Sequence, residues 1–308
     1  MKKFLIIGGA GFIGSHFSEA ILRLGHSAVI IDDFSTSASK KNNSKVKLYK
    51  TNIESLDKVK DIFKKEKPDF VYHLAGAINL RRQITDPLFI KDLNILNRTK
   101  VILDICRENN VKKIIFISSG GAIYENAKVI PTPEDYLAHP ESLYGLANLI
   151  IEKYIELYCN KNNLGFVILR LSNVYGPGQW KSGIIPSIIT KLLKKEKPVL
   201  YGNGNQTRDF IYIDDVIDAF ILATEKGKKG IYNIGSNEEI SLNKIFKLTK
   251  ELLNSKIKPI YKNLNATETI RSAMDTKKIK KEFSWSHKTD IKIGILKTIE
   301  WCKKNGKL

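Results

Sequence analysis

Gly8-Gly9-Ala10-Gly11-Phe12-Ile13-Gly14-Ser15-His16 follows the apolar run Phe4-Leu5-Ile6-Ile7 and opens a segment of helical periodicity that reaches Gly25. That order predicts a strand, a tight turn and a helix. Glycine at 8, 11 and 14 lets the backbone turn sharply and approach a bound group closely. The first turn of the helix leaves N–H groups without intrahelical acceptors and presents the positive end of its dipole, which suits a pyrophosphate. The glycine spacing alone is a weak signal, and the strand before it and the helix after it make it a strong one.

Outward from this turn the first half alternates strand-length apolar runs with longer helical patterns, the habit of a parallel sheet covered on both faces. The expected strands are Lys3 to Gly8, Ala28 to Asp32, Val46 to Tyr49, Phe70 to Ala75, Lys113 to Ser118 and Gly165 to Leu171. The expected helices are Gly11 to Gly25, Ser55 to Glu66, Pro87 to Asn110 and Ser142 to Asn162. After Leu171 come the turn-rich NVYGPGQW, a helical stretch from Ile184 to Glu196 and a second turn cluster, YGNGNQTRD, where the chain is expected to leave the sheet. A strand Phe210 to Ile213, a helix Asp214 to Glu225 and a strand Gly230 to Ile234 read as a return to the first lobe. Ser241 to Leu253 and Ile291 to Lys303 read as helices of a smaller lobe. The fold class is therefore expected to be α/β, a Rossmann-type doubly wound parallel sheet with a smaller C-terminal substrate-binding lobe. Residues 1–173 and 209–236 would form the dinucleotide-binding domain, and 174–208 with 237–308 the smaller lobe.

The 308 residues are 43% hydrophobic, enough for a sizeable core, and contain no run of the ~18 apolar residues that a membrane span needs. The N-terminal Phe4-Leu5-Ile6-Ile7 run leads into the glycine turn without a cleavage site, so it reads as a strand and the expected location is cytoplasmic. Cys106, Cys159 and Cys302 are scattered and odd in number, which points to neither a disulfide framework nor a metal site. A formal charge of +19 would attract polyanions. The lysines, however, lie in solvated-looking pairs such as Lys64-Lys65, Lys194-Lys195 and Lys277-Lys278, without a recognition helix or interleaved aromatics, which argues against nucleic acid.

Asp32 falls at the end of the second strand, about 20 residues past the glycine turn, where a carboxylate accepts both ribose hydroxyls of a dinucleotide. Asp32 and Asp33 together, with Phe34 rather than arginine after them, would repel a 2′-phosphate, so NAD is expected rather than NADP. Asn52-Ile53 and Ala75-Gly76-Ala77 follow the third and fourth strands, at the carboxyl edge where an open α/β sheet binds its cofactor. For Ala75-Gly76 a plain strand-to-loop turn reads equally well.

Taken in order, GGAGFIGSH (8–16), IDDFST (31–36), HLAGA (73–77), DLNILN (92–97), ISSGGAIY (117–124), Tyr144, RLSNVYGPG (170–178) and RDFIYIDDV (208–216) resemble the extended short-chain dehydrogenase/reductase family. Within it the likeness is to the NAD-dependent nucleotide-sugar epimerases and dehydratases, most closely the UDP-glucose 4-epimerases, and it runs almost end to end. The resemblance implies cofactor contacts at Gly8, Gly11, Phe12, Ile13, Gly14, Asp32, Asp33, Ser35, Asn52, Ile53, Leu74, Ala75, Gly76 and Asn94, together with Tyr144 and position 148. It implies that Tyr144 is the acid/base at the sugar C4 hydroxyl and that Ser118 or Ser119, of which Ser119 is favoured, hydrogen-bonds the same oxygen. Asn173, Arg208 and Arg271 would hold the sugar and the nucleotide diphosphate, since an arginine fork meets phosphate oxygens bidentately. A surface ion pair is the competing reading for each arginine. Asp275 would anchor the adjoining loop, and Arg81-Arg82 would lie near the substrate or in solvent. A homodimer through the helices Pro87 to Asn110 and Ser142 to Asn162 is also implied by the resemblance alone.

The chain departs from the family pattern at one decisive place. In Tyr144-Gly145-Leu146-Ala147-Asn148 an asparagine stands where the family has a lysine, which binds the nicotinamide ribose and lowers the pKa of the tyrosine. A free phenol titrates near ~10, so a base usable at neutral pH needs such help. Asn148 keeps hydrogen bonding and supplies no charge, so cofactor binding with weakened chemistry is expected. Gly120-Gly121 stand where dehydratases of the superfamily carry an Asp-Glu pair, which disfavours dehydration. The leading expectation is a UDP-hexose or UDP-N-acetylhexosamine 4-epimerase. Its rivals are a reductase of a nucleotide 4-keto sugar and a non-catalytic protein that binds NAD and a nucleotide sugar, or RNA.

Overall fold

The computed structural model describes residues 1–35, 45–74, 95–179, 183–263 and 269–305. The first half runs β1 (Lys3–Ile7), α1 (Phe12–Arg23), β2 (Ser27–Asp32), β3 (Lys47–Lys50), α2 (Leu56–Glu66), β4 (Phe70–His73), α3 (Ile95–Glu108), β5 (Lys113–Ser119), the single turn α4 (Gly120–Ile123), α5 (Leu143–Lys161) and β6 (Gly165–Leu171). There follow β7 (Asn173–Tyr175), α6 (Ile184–Leu193), β8 (Val199–Tyr201), β9 (Thr207–Arg208), β10 (Phe210–Tyr212), α7 (Ile213–Glu225) and β11 (Gly230–Ile234). The chain ends with β12 (Ile240–Ser241), α8 (Leu242–Leu252), β13 (Ile260–Lys262), α9 (Lys277–Phe283) and α10 (Ile291–Asn305).

Seven strands form one sheet in the order β11-β6-β5-β4-β1-β2-β3, every pairing parallel. Their apolar runs bury both faces, as a parallel sheet requires. Phe4, Ile6, Ile30, Tyr72, Ile115, Val167 and Leu169 pack on one side with α1 and α7. Leu5, Ile7, Val29, Ile31, Val71, Phe116 and Ile168 pack on the other with α2, α3 and α5. Strand order reverses at β1, so the crevice that binds a ligand in such a sheet opens at the carboxyl ends of β1 and its neighbours.

All six strands expected from the first half are present, and β11 adds the seventh beside β6. The strand expected over Phe210 to Ile213 forms as β10, but it pairs with β7 in a separate two-stranded ladder rather than joining the main sheet. The ladders β9–β12 and β8–β13 and the helix α9 are absent from the sequence-based expectation. Strands of two or three residues are too short to show a period, and the KKIKKEF of α9 carries only two buried side chains, Ile279 and Phe283. Ala75, Gly76, Asn94, Arg81, Arg82 and the start of the helix expected from Pro87 lie outside the described residues. Among the described residues no helix is long and apolar enough to cross a membrane.

Candidate active site

The glycine turn joins β1 to α1. Gly8 has φ +78°, and its N–H donates to the Ile31 carbonyl at 2.8 Å, tying the turn to β2. A Cβ on Gly14 would stand 2.5 Å from the Gly9 Cα, so only glycine lets the helix pack this closely on the turn. Ser15 N–H to Gly11 C=O, 2.9 Å, closes the first helical turn and leaves the N–H groups of Phe12, Ile13 and Gly14 without intrahelical acceptors. This is the geometry of an anion-binding helix end.

Beside it, the carboxylate of Asp32, 9% exposed, accepts the N–H of Ala10 at 2.9 Å and of Phe34 at 2.8 Å. Asp33 accepts the Ser35 N–H at 2.9 Å and the Asn52 amide at 3.1 Å, while Asn52 accepts the Glu54 N–H at 2.9 Å. Burial pushes the Asp33 carboxyl up, but hydrogen bonds from Ser35 and the positive charge of Arg98 outweigh it and hold it below the ordinary carboxylate range. The residues expected to hold the adenosine half are thereby connected to one another.

A cleft of about 620 Å³ runs along the carboxyl ends of the strands. Of the expected cofactor residues, Gly8, Gly11, Phe12, Ile13, Gly14, Asp32, Asp33, Ser35, Asn52, Ile53 and Leu74 line it, together with Ser118, Ser119, Tyr144 and Asn173. Arg98, Ser118 and Gln179 line it too, and each has a buried side-chain polar atom without a protein hydrogen-bond partner: Arg98 Nε, Ser118 Oγ and Gln179 Oε1. The glycine turn, whose packing a Cβ at Gly14 would block, and Asp32 in the wall of the same cleft fit a dinucleotide.

The chemical end of the cleft depends on the start of α5. Ser142 caps the helix by accepting the Gly145 N–H at 3.1 Å, and Glu125 accepts the N–H groups of Glu141 and Ser142, each at 2.7 Å. A Cβ on Gly145 would lie 2.2 Å from the Ala122 carbonyl oxygen, so glycine alone permits α5 to approach α4 this closely. The approach brings Tyr144 beside Ser119. Burial pushes the Tyr144 phenol above its ordinary pKa, and the hydrogen bonds of the Asn148 and Ser119 side chains only partly offset that. Asn148 itself is 6% exposed and lies behind the cleft wall, donating its amide to the Tyr144 carbonyl at 2.8 Å. Ser118, the alternative to Ser119, keeps its hydroxyl unpartnered.

The residues expected to hold substrate divide. Asn173 faces the cleft and donates both its main-chain N–H and its amide to the Asp209 carbonyl, at 2.9 and 3.1 Å. Arg208 and Arg271 do not line the cleft. Arg208 sits on β9 opposite Ile240. Arg271 forms a bidentate ion pair with Glu239, at 2.9 and 2.5 Å, and Glu239 also accepts the Thr207 hydroxyl at 2.6 Å. The ion pair that competes with phosphate binding in the reading of Arg271 is thus formed. Asp275 accepts the Lys277 N–H at 2.8 Å and fastens its loop. Sequence reasoning missed Arg98, whose polar partners belong to other elements, and Asp209, which is fully buried. Asp209 accepts the N–H of Ser236 at 2.7 Å and those of Asn237 and Met274, each at 3.2 Å. The adjacent arginine in QTRDF drew attention to that segment without revealing this junction.

Residues 4–235 match the family model described as the NAD dependent epimerase/dehydratase family. A protein of Methanocaldococcus jannaschii, provisionally named a UDP-glucose 4-epimerase, is 35% identical over 306 residues, 98% of this chain and 99% of that protein. The crystal structure of UDP-glucose 4-epimerase with UDP-glucose from Thermotoga maritima superposes with a TM-score of 0.93 at 34% identity, covering 98% of this chain and 99% of that one. The Thermus thermophilus UDP-glucose 4-epimerase complex with NAD gives a TM-score of 0.91 at 27% identity, covering 99% and 100%. With a glycine turn, a carboxylate at the end of β2 and a Tyr–Ser pair along one cleft, this Rossmann-fold chain belongs to the NAD dependent epimerase/dehydratase family, and its cofactor is NAD.

Proposed function

We propose that the chain is a UDP-hexose or UDP-N-acetylhexosamine 4-epimerase. The observation that carries the reading is the Tyr144–Ser119 pair, set in the wall of the same cleft as the glycine turn. The N–H groups of residues 12–14 would hold the pyrophosphate, Asp32 the adenosine ribose, and Asn52, Ile53 and Leu74 the walls around the base and ribose. Bound NAD would supply a reversible hydride acceptor for the sugar C4.

Tyr144 takes the proton from the C4 hydroxyl as that carbon is oxidised and returns it after the sugar has turned over. Ser119 hydrogen-bonds the same oxygen and orients it. Asn173 reaches the sugar from β7; Arg208 and Arg271, which do not line the cleft, would meet the diphosphate by turning towards it from the lobe formed by 174–208 and 237–308. Arg271 must exchange Glu239 for phosphate to do so. Two observations support epimerisation over dehydration. Gly120, where a Cβ would displace the Met274 side chain whose sulfur stands 2.0 Å away, carries no acid or base, and neither does Gly121. A homodimer is supported by the outer face of α5, where Leu146 and Leu157 are 42% and 57% exposed and Ile150 lies between them.

A second reading, binding with little turnover, is favoured by the absence of a charged side chain among the described residues that bond the Tyr144 phenol, which are Asn148 and Ser119. Incubating the purified protein without added cofactor against UDP-glucose, UDP-galactose and their N-acetyl forms separates the two. Interconversion of C4 epimers supports the enzyme; tight UDP-sugar binding without conversion supports the binder.

A further inference from the structure

The amino ends of the sheet form the edge opposite the cleft, and each of the seven strands is entered past a cation. In sheet order Lys229 precedes β11, Lys161 β6, Lys112 β5, Lys67 β4, Lys2 β1, Arg23 β2 and Lys45 β3. All are exposed except Lys2, which is half-buried. Neighbouring strands lie about 4.8 Å apart, so the row is about 30 Å long.

Part of this charge has a structural explanation. A helix end carries about half a negative charge, which one cation in the last turn answers. Arg23, Lys64, Arg107 and Lys161 do this for α1, α2, α3 and α5. The end of α7 is met from inside: Lys113 Nζ donates to the carbonyls of Ala223, Thr224 and Gly227 at 3.0, 3.1 and 2.8 Å. Lys226, Lys228 and Lys229, all exposed, therefore have no such duty, nor do Lys65 and Lys67 beside Lys64. Carboxylates do not cancel the excess. Glu66 is taken by Lys3 and Lys47, and Asp69 by Lys112, which leaves Glu108 and Glu225 among the described residues of these helix and strand ends.

An unbalanced row of this length attracts an extended anionic surface, and its chemistry selects which. Among the described residues the edge has no exposed aromatic ring on which a base would stack. Instead Leu24, half exposed, stands beside Arg23 as an apolar side chain that suits the boundary between headgroups and acyl chains. We propose that the amino edge of the sheet docks the protein on the surface of an anionic bilayer, with the cleft turned away from it. Lysines close to such a surface are drawn to its headgroups over about a Debye length, and docking of this kind needs no membrane span. The inference is independent of which sugar the enzyme turns over.

The test is co-sedimentation of the full-length protein with vesicles of phosphatidylcholine alone and of phosphatidylcholine mixed with phosphatidylserine. One variant combines Lys65→Gln, Lys67→Gln, Lys228→Gln and Lys229→Gln on the edge. A second loses the same charge elsewhere, through Lys244→Gln, Lys247→Gln, Lys303→Gln and Lys304→Gln in α8 and α10, which pack against each other. Wild type and the second variant are expected to bind the phosphatidylserine vesicles alike within about twofold, and the edge variant at least about tenfold more weakly. None of the three should bind phosphatidylcholine alone. An equal loss in both variants would make net charge the cause and overturn the assignment to this edge. Absence of wild-type binding to the anionic vesicles, with or without binding of a single-stranded RNA, would remove the bilayer as partner.

Discussion

The side-chain amide of Asn148 donates to the main-chain carbonyl of Tyr144, 2.8 Å away and one helical turn back, so the residue after Ala147 serves the tyrosine without lending it charge. The phenol of Tyr144 is consequently held by neutral groups, and burial leaves its pKa raised. An ammonium at position 148 would favour the phenolate. Asn148→Lys is therefore expected to move the ascending limb of the kcat–pH profile down by about one unit or more, and to raise kcat at neutral pH by about tenfold. An unchanged profile would show that the bound cofactor or a residue outside the described segments already supplies the charge.

Gly145 sets the approach of α5 to α4. In Gly145→Ala the new Cβ would meet the Ala122 carbonyl oxygen at 2.2 Å, and backbone cannot yield as a flexible side chain does. The variant should lose about 1–3 kcal/mol of stability and, with Tyr144 displaced from Ser119, at least about a hundredfold in kcat. Gly121→Ala, whose Cβ meets nothing within 4 Å, is the matched control and should melt like wild type. Equal melting temperatures and rates for the two variants would contradict the role given to Gly145.

His73 closes β4 fully buried, edge-on to Phe116, with neither ring nitrogen bonded. Burial lowers its pKa from 6.5 to about 4. The unfolded chain thus binds one more proton between those values. The stability associated with the neutral ring is complete above pH 6.5 and declines as pH falls towards 4, by at most about 3 kcal/mol. Urea denaturation at pH 7 and pH 4.5 measures the slope, and His73→Phe should flatten it. A variant as acid-sensitive as wild type would place the titration elsewhere.

Glu239 occupies the Arg271 fork that we assign to the diphosphate. If the two compete, Glu239→Gln should tighten UDP binding about two- to fivefold, as expected for release of an exposed pair, while Arg271→Gln weakens it. Weaker UDP binding in Glu239→Gln would instead make the carboxylate an aid to positioning Arg271.

The parallel sheet and its cleft were legible because they rest on local signals. GGAGFIGSH states a turn between a strand and a helix, and runs such as Phe4 to Ile7 and Phe166 to Leu171 state strands buried on both faces. Asp32 and Tyr144 could be found for the same reason, since each is placed by the end of one element. What escaped depends on tertiary partners. The need for glycine at 145 lies in a carbonyl at residue 122, the importance of Asp209 lies in N–H groups at 236, 237 and 274, and the pairing of Arg271 lies in Glu239. The ladder β9–β12 that brings Arg208 near this pair is two residues long on each strand, too short to announce itself.

The most direct test of the proposed chemistry is to follow a UDP-hexose deuterated at C4 through the purified enzyme and read the recovered sugars by mass spectrometry and NMR. The expected result is the C4 epimer with deuterium still on C4, because the hydride leaves and returns within one closed site. Epimer that has lost its deuterium to solvent, or no epimer at all while UDP-sugar binds, would contradict transient C4 oxidation by this chain.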